Sequence, residues 1–421
     1  MRKKDFVFTG IVVLFLLPFF VCPEVYEAYS NFNASNGMIM SFIKFAVLAT
    51  LGEVIGLRIK TGNYYRKGFG IVPRAIVWGL LGLGINAAFI IFRIVSTFAG
   101  VDPANSLLKM KELGLFIVVY IVQFNMNKIA LVKLLKTMIY SGGIGVIGTI
   151  INMYVIKGLK FGLDNRLSGF SSGYMTYGSI LTMLILLGVS LLLFSENSRQ
   201  EKGFLTGSLF IMVIGLGLTL TRSAWIGLVA GFFFIGIFKH RLLLGGLVLI
   251  ILLSVLFSPP KIKQRMFSIV SSDDATVQTR FEMWTWGFKV FKAHPVFGIG
   301  PNNVKKYKDI WTQYEMEDEA RKQMVHQHSN FMQKLVTLGI IGFAAYLWLL
   351  LVMLIEFLKG IKNFGSDKNL SGAVWGSAAA FIGFAVTGIF ESNFFDSEVT
   401  LIIFFLIGSL IAINKKYEEE K

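Results

Sequence analysis

The chain has 421 residues, of which 54% are hydrophobic and only 16% charged, with a formal net charge of +16. A water-facing globular protein carries about 25% charged residues, so this composition excludes a soluble enzyme, a secreted disulfide scaffold and a soluble nucleic-acid binder. One cysteine, Cys22, and four histidines leave no internal disulfide, no thiolate zinc site and little basis for a multi-histidine metal centre.

In chain order, Arg2, Lys3 and Lys4 precede an apolar run over 6–22 that has no small-residue cleavage site, which reads as an uncleaved first helix. A membrane span needs about 20 apolar residues. Further spans follow near 38–57, 71–98, 113–125, 134–156, 174–194, 204–221, 223–238, 242–258, 335–358, 371–390 and 399–413. The expected fold is therefore an all-α integral membrane protein with about 12 transmembrane helices. With both termini cytoplasmic, the short inner segments hold twenty-one lysines and arginines and the short outer loops hold six. The positive-inside rule favours that orientation. Three helices over 1–100 form an N-terminal segment, 101–258 a transmembrane bundle, 259–334 one large outer loop, and 335–421 the C-terminal helices with a short charged tail.

The segment 259–334 is too long for a plain connector and is expected to carry structure and a task. Phe281, Trp284, Phe288 and Phe291 recur on one face of a helix over 280–294, which predicts an amphipathic helix at the membrane–water boundary with Lys289 and Lys292 toward headgroups. Pro295, Gly298, Gly300 and Pro301 end it. Trp284, Trp286 and Trp311 read as interface anchors rather than a sugar platform. Lys44, Glu53 and Arg93 fall within or near spans and are candidates only on that ground.

The predicted outer face gathers Arg166, Arg222, Arg280 and His328 among apolar surroundings. Guanidinium is always charged and grips phosphate oxygens in pairs, so three of them converging suit a diphosphate. A neighbouring imidazole suits proton transfer from a hydroxyl. Each has a plainer reading. Arg166 also fits a headgroup contact, Arg280 an ordinary interfacial helix start, and His328 a helix cap. Arg222, at a junction with almost no loop, is the hardest to read as a casual charge. His326 is a weaker candidate, and Glu391 with Asp396 makes an acidic outer mouth suited to orienting a base or an acceptor.

Four motifs then occur in order. They are Arg166-Leu-Ser-Gly-Phe with Tyr174-Met-Thr-Tyr-Gly, Leu220-Thr-Arg222-Ser-Ala-Trp, Arg280-x-x-x-Trp284 leading to His294-Pro-Val-Phe-Gly-Ile-Gly-Pro301, and His328-Ser-Asn-Phe-Met-Gln333 with Leu338-Gly-Ile-Ile-Gly342. Over about residues 101–412 the chain resembles the O-antigen ligase and polymerase superfamily of polytopic bacterial glycosyltransferases. The resemblance implies a GT-C-like architecture in the cytoplasmic (inner) membrane with the active site on the outer face. It implies an undecaprenyl diphosphate-linked glycan as donor, with lipid A–core or another glycan as acceptor and membrane lipids as surroundings. Arg166, Arg222 and Arg280 would hold the diphosphate and His328 would activate the acceptor, with anomeric inversion and no metal ion or other cofactor. Many members place Asn directly after the histidine; here Ser329 intervenes and Asn330 follows. Residues 1–100 do not share the likeness and are either a diverged part or a fused segment. A polysaccharide polymerase is the alternative within the class, and a lipid-linked glycan transporter is the alternative outside it.

Overall fold

The computed structural model describes residues 100–257, 259–268, 275–310 and 318–419, together with scattered positions among the first 98. Spans 6–22, 38–57 and 71–98 lie largely outside the described residues, as do Cys22, Lys44, Glu53, Arg93 and Trp311. The chain divides into two compact units, Met1–Phe98 and Ala99–Lys421. In the first, Arg58 Nε donates to Asp5 Oδ1 at 2.6 Å and the Tyr64 hydroxyl to the same oxygen at 2.9 Å.

In the second unit every regular element among the described residues is a helix. They are α1 Pro103–Met110, α2 Ile117–Asn125, α3 Lys128–Ile150, α4 Tyr174–Phe194, α5 Arg199–Leu218, α6 Arg222–Phe238 and α7 Leu242–Phe257. Then come α8 Pro260–Phe267, α9 Ala275–Ala293, α10 Val304–Ile310, α11 Asp318–Gln323, α12 Asn330–Phe364, α13 Ser371–Phe390 and α14 Ser397–Glu419. Among the described residues, six helical stretches are long and apolar enough to cross a membrane: Lys128–Ile156, α4, α5, α12, α13 and Ser397–Glu418. Gly114–Asn125 and α6 are apolar but shorter.

Local chemistry sets the ends of these helices. Asn127 Oδ1 accepts from the Ala130 amide at 2.8 Å to start α3. Ser198 and Glu201 form a reciprocal capping box at α5, and Glu201 also meets Lys136 Nζ of α3 at 2.6 Å. The central layer is α13 between α4 and α6, where small residues let the backbones approach closely. A Cβ on Gly227 would sit 2.6 Å from the Gly383 carbonyl oxygen, so that crossing admits only glycine. One apolar core runs from Leu131 through Leu181, Phe357 and Phe384 to Ile413, joining the 101–258 helices to the C-terminal ones. Apolar side chains such as Ile144, Phe204, Phe210 and Trp348 face outward, as lipid-facing positions do.

The long loop has a small core, made by Met283, Trp286, Val290, Ile299, Val304, Tyr307 and Met324 with Val336 of α12. Here the structure corrects the sequence reading of the tryptophans. Trp286 is 1% exposed and is a core residue, not an interface anchor. The α9 helix begins at Ala275, and its buried line is Met283, Trp286, Gly287 and Val290. Phe281 and Phe288 face outward, as an interfacial stripe requires. Helix α12 breaks at Gly339 (φ 65°), and the 295–300 turn docks into the break. Ile299 and Gly300 amides donate to the Val336 and Thr337 carbonyls at 3.0 and 2.9 Å, and the Ile340 amide donates to Pro295 O at 2.8 Å. These bonds satisfy backbone groups that the interruption frees, which is what lets the helix be broken here.

Candidate active site

The site is built on the turn before α12 and the turn after α13. These carry the same tripeptide, Ser-Asn-Phe, at 329–331 and 392–394, preceded by His328 and by Glu391 respectively. The two copies lie against each other. The Ser329 amide donates to Ser392 Oγ at 3.0 Å, Asn330 Nδ2 to Asn393 Oδ1 at 2.7 Å, and the Phe394 amide to Asn330 Oδ1 at 3.0 Å. The Asn330 amide also donates to the Glu391 carbonyl at 3.2 Å. In register with these contacts, His328 Nδ1 faces Glu391 Oε1 at 3.4 Å, an ion-pair distance rather than a formed hydrogen bond.

His328 is held in the left-handed region, φ 44°, which a non-glycine residue adopts at a cost of about 1–3 kcal/mol. The surrounding bonds fix it there. The His328 amide donates to His326 Nδ1 at 3.2 Å, the Gln327 amide to Gln333 Oε1 at 2.8 Å, and Trp284 Nε1 to the Gln327 carbonyl at 2.8 Å. Because His326 Nδ1 accepts that bond, a neutral His326 carries its proton on Nε2. With Nδ1 of His328 turned to Glu391, Nε2 is the nitrogen left for a reacting group.

Glu391 is 4% exposed and has a second cationic neighbour, Arg280, whose guanidinium lies 3.5 Å from Oε2. Burial pushes the carboxyl pKa up. The neighbouring His328, His326 and Arg280 outweigh that and hold it below the ordinary carboxylate value. The line Arg280–Glu391–His328 thus keeps an ionised carboxylate behind an imidazole.

His326, His328 and Glu391 line a cavity of about 440 Å³, with Ser172, Tyr174, Thr176, Asn302, Gln333 and Asp396. Asp396 Oδ2 accepts from Thr176 Oγ1 at 2.6 Å, and Thr176 Oγ1 lies 3.1 Å from Ser172 Oγ. Of the residues named from sequence, His326, His328, Glu391 and Asp396 therefore meet at one cavity, and Arg280 backs it through Glu391. Asn330, fully buried, serves as the clamp between the two turns.

The other two arginines are held by local contacts. Arg166 Nε donates to the Leu163 carbonyl at 3.0 Å, and its guanidinium lies 4.4 Å from the ring centre of Tyr174, which lines the cavity. Arg222, 8% exposed at the start of α6, donates through Nη1 to Ser268 O at 2.7 Å and to Ser268 Oγ at 2.9 Å. Sequence reasoning missed Ser172, Thr176, Ser392 and Asn393. The repeated Ser-Asn-Phe was a readable signal for the last two; hydroxyl residues in an apolar chain gave none for the first two.

A metal ion is also conceivable here on ligand type. His326, His328 and Glu391 each offer a ligand atom, all within 4.8 Å of one another. A cation there would compete with Arg280 for the charge of Glu391.

Residues 207–347 match the O-antigen ligase family. That match supports the O-antigen ligase and polymerase superfamily resemblance and spans Arg222, Arg280, His326, His328 and Asn330. The matched residues lie within the unit that carries the six long apolar helices found among the described residues, as a multi-pass membrane protein requires. It is also similar to an uncharacterised protein of Haemophilus influenzae, at 22% identity over 223 residues, which is 48% of this chain and 56% of that one. The chain thus spans little more than half the length of that relative. A solved structure described under the words "Structural coordination of polymerization and crosslinking by a peptidoglycan synthase complex" matches at 17% identity. It covers 80% of this chain and 97% of the other, with a TM-score of 0.41.

Proposed function

We propose that this chain transfers a glycan from an undecaprenyl diphosphate carrier to an acceptor hydroxyl at the outer face of the cytoplasmic membrane. Lipid A–core or a similar hydroxyl-bearing molecule is the acceptor. The observation that carries the reading is the Arg280–Glu391–His328 line on the cavity wall. An ionised, buried carboxylate behind an imidazole is the arrangement general-base activation of a hydroxyl needs, since it orients the ring and stabilises the imidazolium that forms.

In the reaction, His328 Nε2 takes the proton as the acceptor oxygen bonds to the anomeric carbon. The bond from that carbon to the diphosphate oxygen breaks, and the electron pair leaves with the lipid diphosphate. A single displacement inverts the anomeric centre. Arg166, Arg222 and Arg280 stabilise the leaving charge, the role preorganised donors play at a developing anion. The step runs without a metal ion. A growing glycan in place of lipid A–core makes the same chemistry a polymerase.

Purified protein in liposomes with lipid-linked glycan donor and a panel of acceptors tests this, with EDTA present throughout. Donor-dependent product that His328→Ala abolishes is the expected result. Donor bound and carried across the bilayer without product, unchanged in that variant, identifies a transporter instead. Product that EDTA abolishes and zinc restores assigns the histidines to a metal.

A further inference from the structure

Arg280 has a place in the transfer chemistry, but Trp284, one turn further along α9, has none there. Residues three and four apart share a face of a helix, which puts Arg280, Trp284 and Gly287 on one stripe. All three meet the two turns of the site. Arg280 lies 3.5 Å from Glu391 Oε2. Trp284 Nε1 donates to the Gln327 carbonyl at 2.8 Å, so its N–H is turned to the site and not to headgroups. Gly287 is buried against Gln327. A Cβ there would stand 2.7 Å from Gln327 Oε1 and 3.1 Å from Val336 Cγ2, so glycine lets α9 lie close against the turn.

The Gln327 carbonyl belongs to the peptide plane that leads into His328. A trans peptide carries its C=O and N–H on opposite edges. Trp284 holds the carbonyl edge, and the N–H edge donates to His326 Nδ1 at 3.2 Å. The next plane, between His328 and Ser329, is held by the Ser329 amide on Ser392 Oγ at 3.0 Å. The two soft dihedrals of His328 are the rotations between those planes, so holding both planes holds the residue at φ 44°. A non-glycine residue keeps that conformation only where its surroundings over-determine it. His326 belongs to the same turn and Ser392 to the facing one. Trp284 is the anchor from outside both, on the helix that also reaches Glu391 through Arg280. One face of α9 thus splints the imidazole and the carboxylate together.

We propose that Trp284 is a positioning residue for the transfer: through the Gln327 carbonyl it sets the backbone from which His328 faces Glu391 and the cavity. The effect on turnover rests on the reading of His328 as the base; the hold on the backbone does not.

The test separates the two. Trp284→Phe removes the N–H and keeps an aromatic ring. Replacing Trp284 by 3-benzothienylalanine, which has sulfur in place of the N–H, keeps the shape of the indole as well. Hydrogen–deuterium exchange of the full chain in detergent needs no transfer. Exchange of the His328 and Ser329 amides should quicken about tenfold or more in both variants, with α4 and α13 unchanged. In proteoliposomes kcat should fall about 10–100-fold, while the donor and acceptor KM stay within a few-fold. In a His328→Ala background the same Trp284 changes should cost no more than about twofold, because nothing is left to position. A merely structural role lowers the rate equally in both backgrounds. That equal loss, wild-type exchange at 328 and 329, or full turnover in the benzothienylalanine variant overturns the assignment. Quickened exchange in a chain that transfers no glycan keeps the hold of Trp284 on the backbone and overturns only the transfer reading.

Discussion

The turns at 326–331 and 391–396 are built on one plan, and the arginine-bearing segments at 163–174 and 220–222 on another. In the first, side chains and amides of two Ser-Asn-Phe copies bond across to each other, so His328 and Glu391 have little freedom to move apart. In the second, Arg166 donates to the Leu163 carbonyl, and the bonds of Arg222 include those to the Ser268 carbonyl and hydroxyl. A guanidinium on a carbonyl holds only a partial charge, whereas a diphosphate offers full charges in a geometry it grips twice. The pair proposed to handle the proton is thus set before substrate arrives, whereas Arg166, proposed for the leaving diphosphate, sits on a carbonyl that such a ligand can replace.

The sharpest way to break this comparison is His328→Ala. Loss of a general base lowers turnover by about 10²–10⁴-fold, and the donor KM should stay within a few-fold because the arginines remain. Initial rates in proteoliposomes over a range of donor concentrations check it. A change confined to the donor KM would make the imidazole a binding group instead.

Next comes the clamp. Asn330→Ala strands the part-buried Phe394 amide and the buried Asn393 Oδ1, at up to about 1–3 kcal/mol for a buried group left unpaired. The thermal midpoint in detergent should fall, and turnover with it, since the register of His328 and Glu391 is lost. Asn393→Ala added to Asn330→Ala should cost less than the sum of the two single changes, because contacting partners are not additive. Full additivity would mean the two turns are not held by this pair.

Much of the pairing was legible before the fold was known. His328, Glu391 and Asp396 stand out as polar groups at span ends in a chain that is 16% charged. The Ser-Asn-Phe copies were equally visible, but a tripeptide has no meaning until the fold opposes it to its twin. Trp286 shows why burial was not legible on α9. That helix carries two apolar lines, and composition could not say which of them packs inward on Val304, Tyr307 and Met324. Thr176 and Ser172 give no signal at all in sequence, because their significance comes from Asp396, some 220 residues away.

The carboxylate behind the imidazole gives a pH test of the same comparison. The pKa of Glu391 is lower folded than unfolded, so its contribution to stability is fully present above the unfolded value. That contribution is lost as pH falls through the folded one. Wild-type thermal stability should therefore drop on acidification below the ordinary carboxylate range. Glu391→Gln should remove that part of the drop while lowering turnover at neutral pH by about tenfold, roughly 1.4 kcal/mol of barrier. An unchanged acid profile in Glu391→Gln would place the pair outside the folded-state energetics.

The smallest effect belongs to Arg166. Its stack on Tyr174 is a half-exposed cation–π contact, worth about 0.5–1 kcal/mol, so removing it should barely move the thermal midpoint. A charge-assisted bond to a diphosphate is worth about 1.5–3 kcal/mol, so Arg166→Ala should raise the donor KM by about tenfold or more, and less steeply at high salt. Tyr174→Leu distinguishes the two roles, because it deletes the stack and leaves the guanidinium. If Tyr174→Leu reproduces the donor defect in full, the arginine acts by bracing the cavity wall. If the donor KM rises only in Arg166→Ala, the guanidinium is released from its stack to meet the donor, as the exchangeable contacts of this segment require.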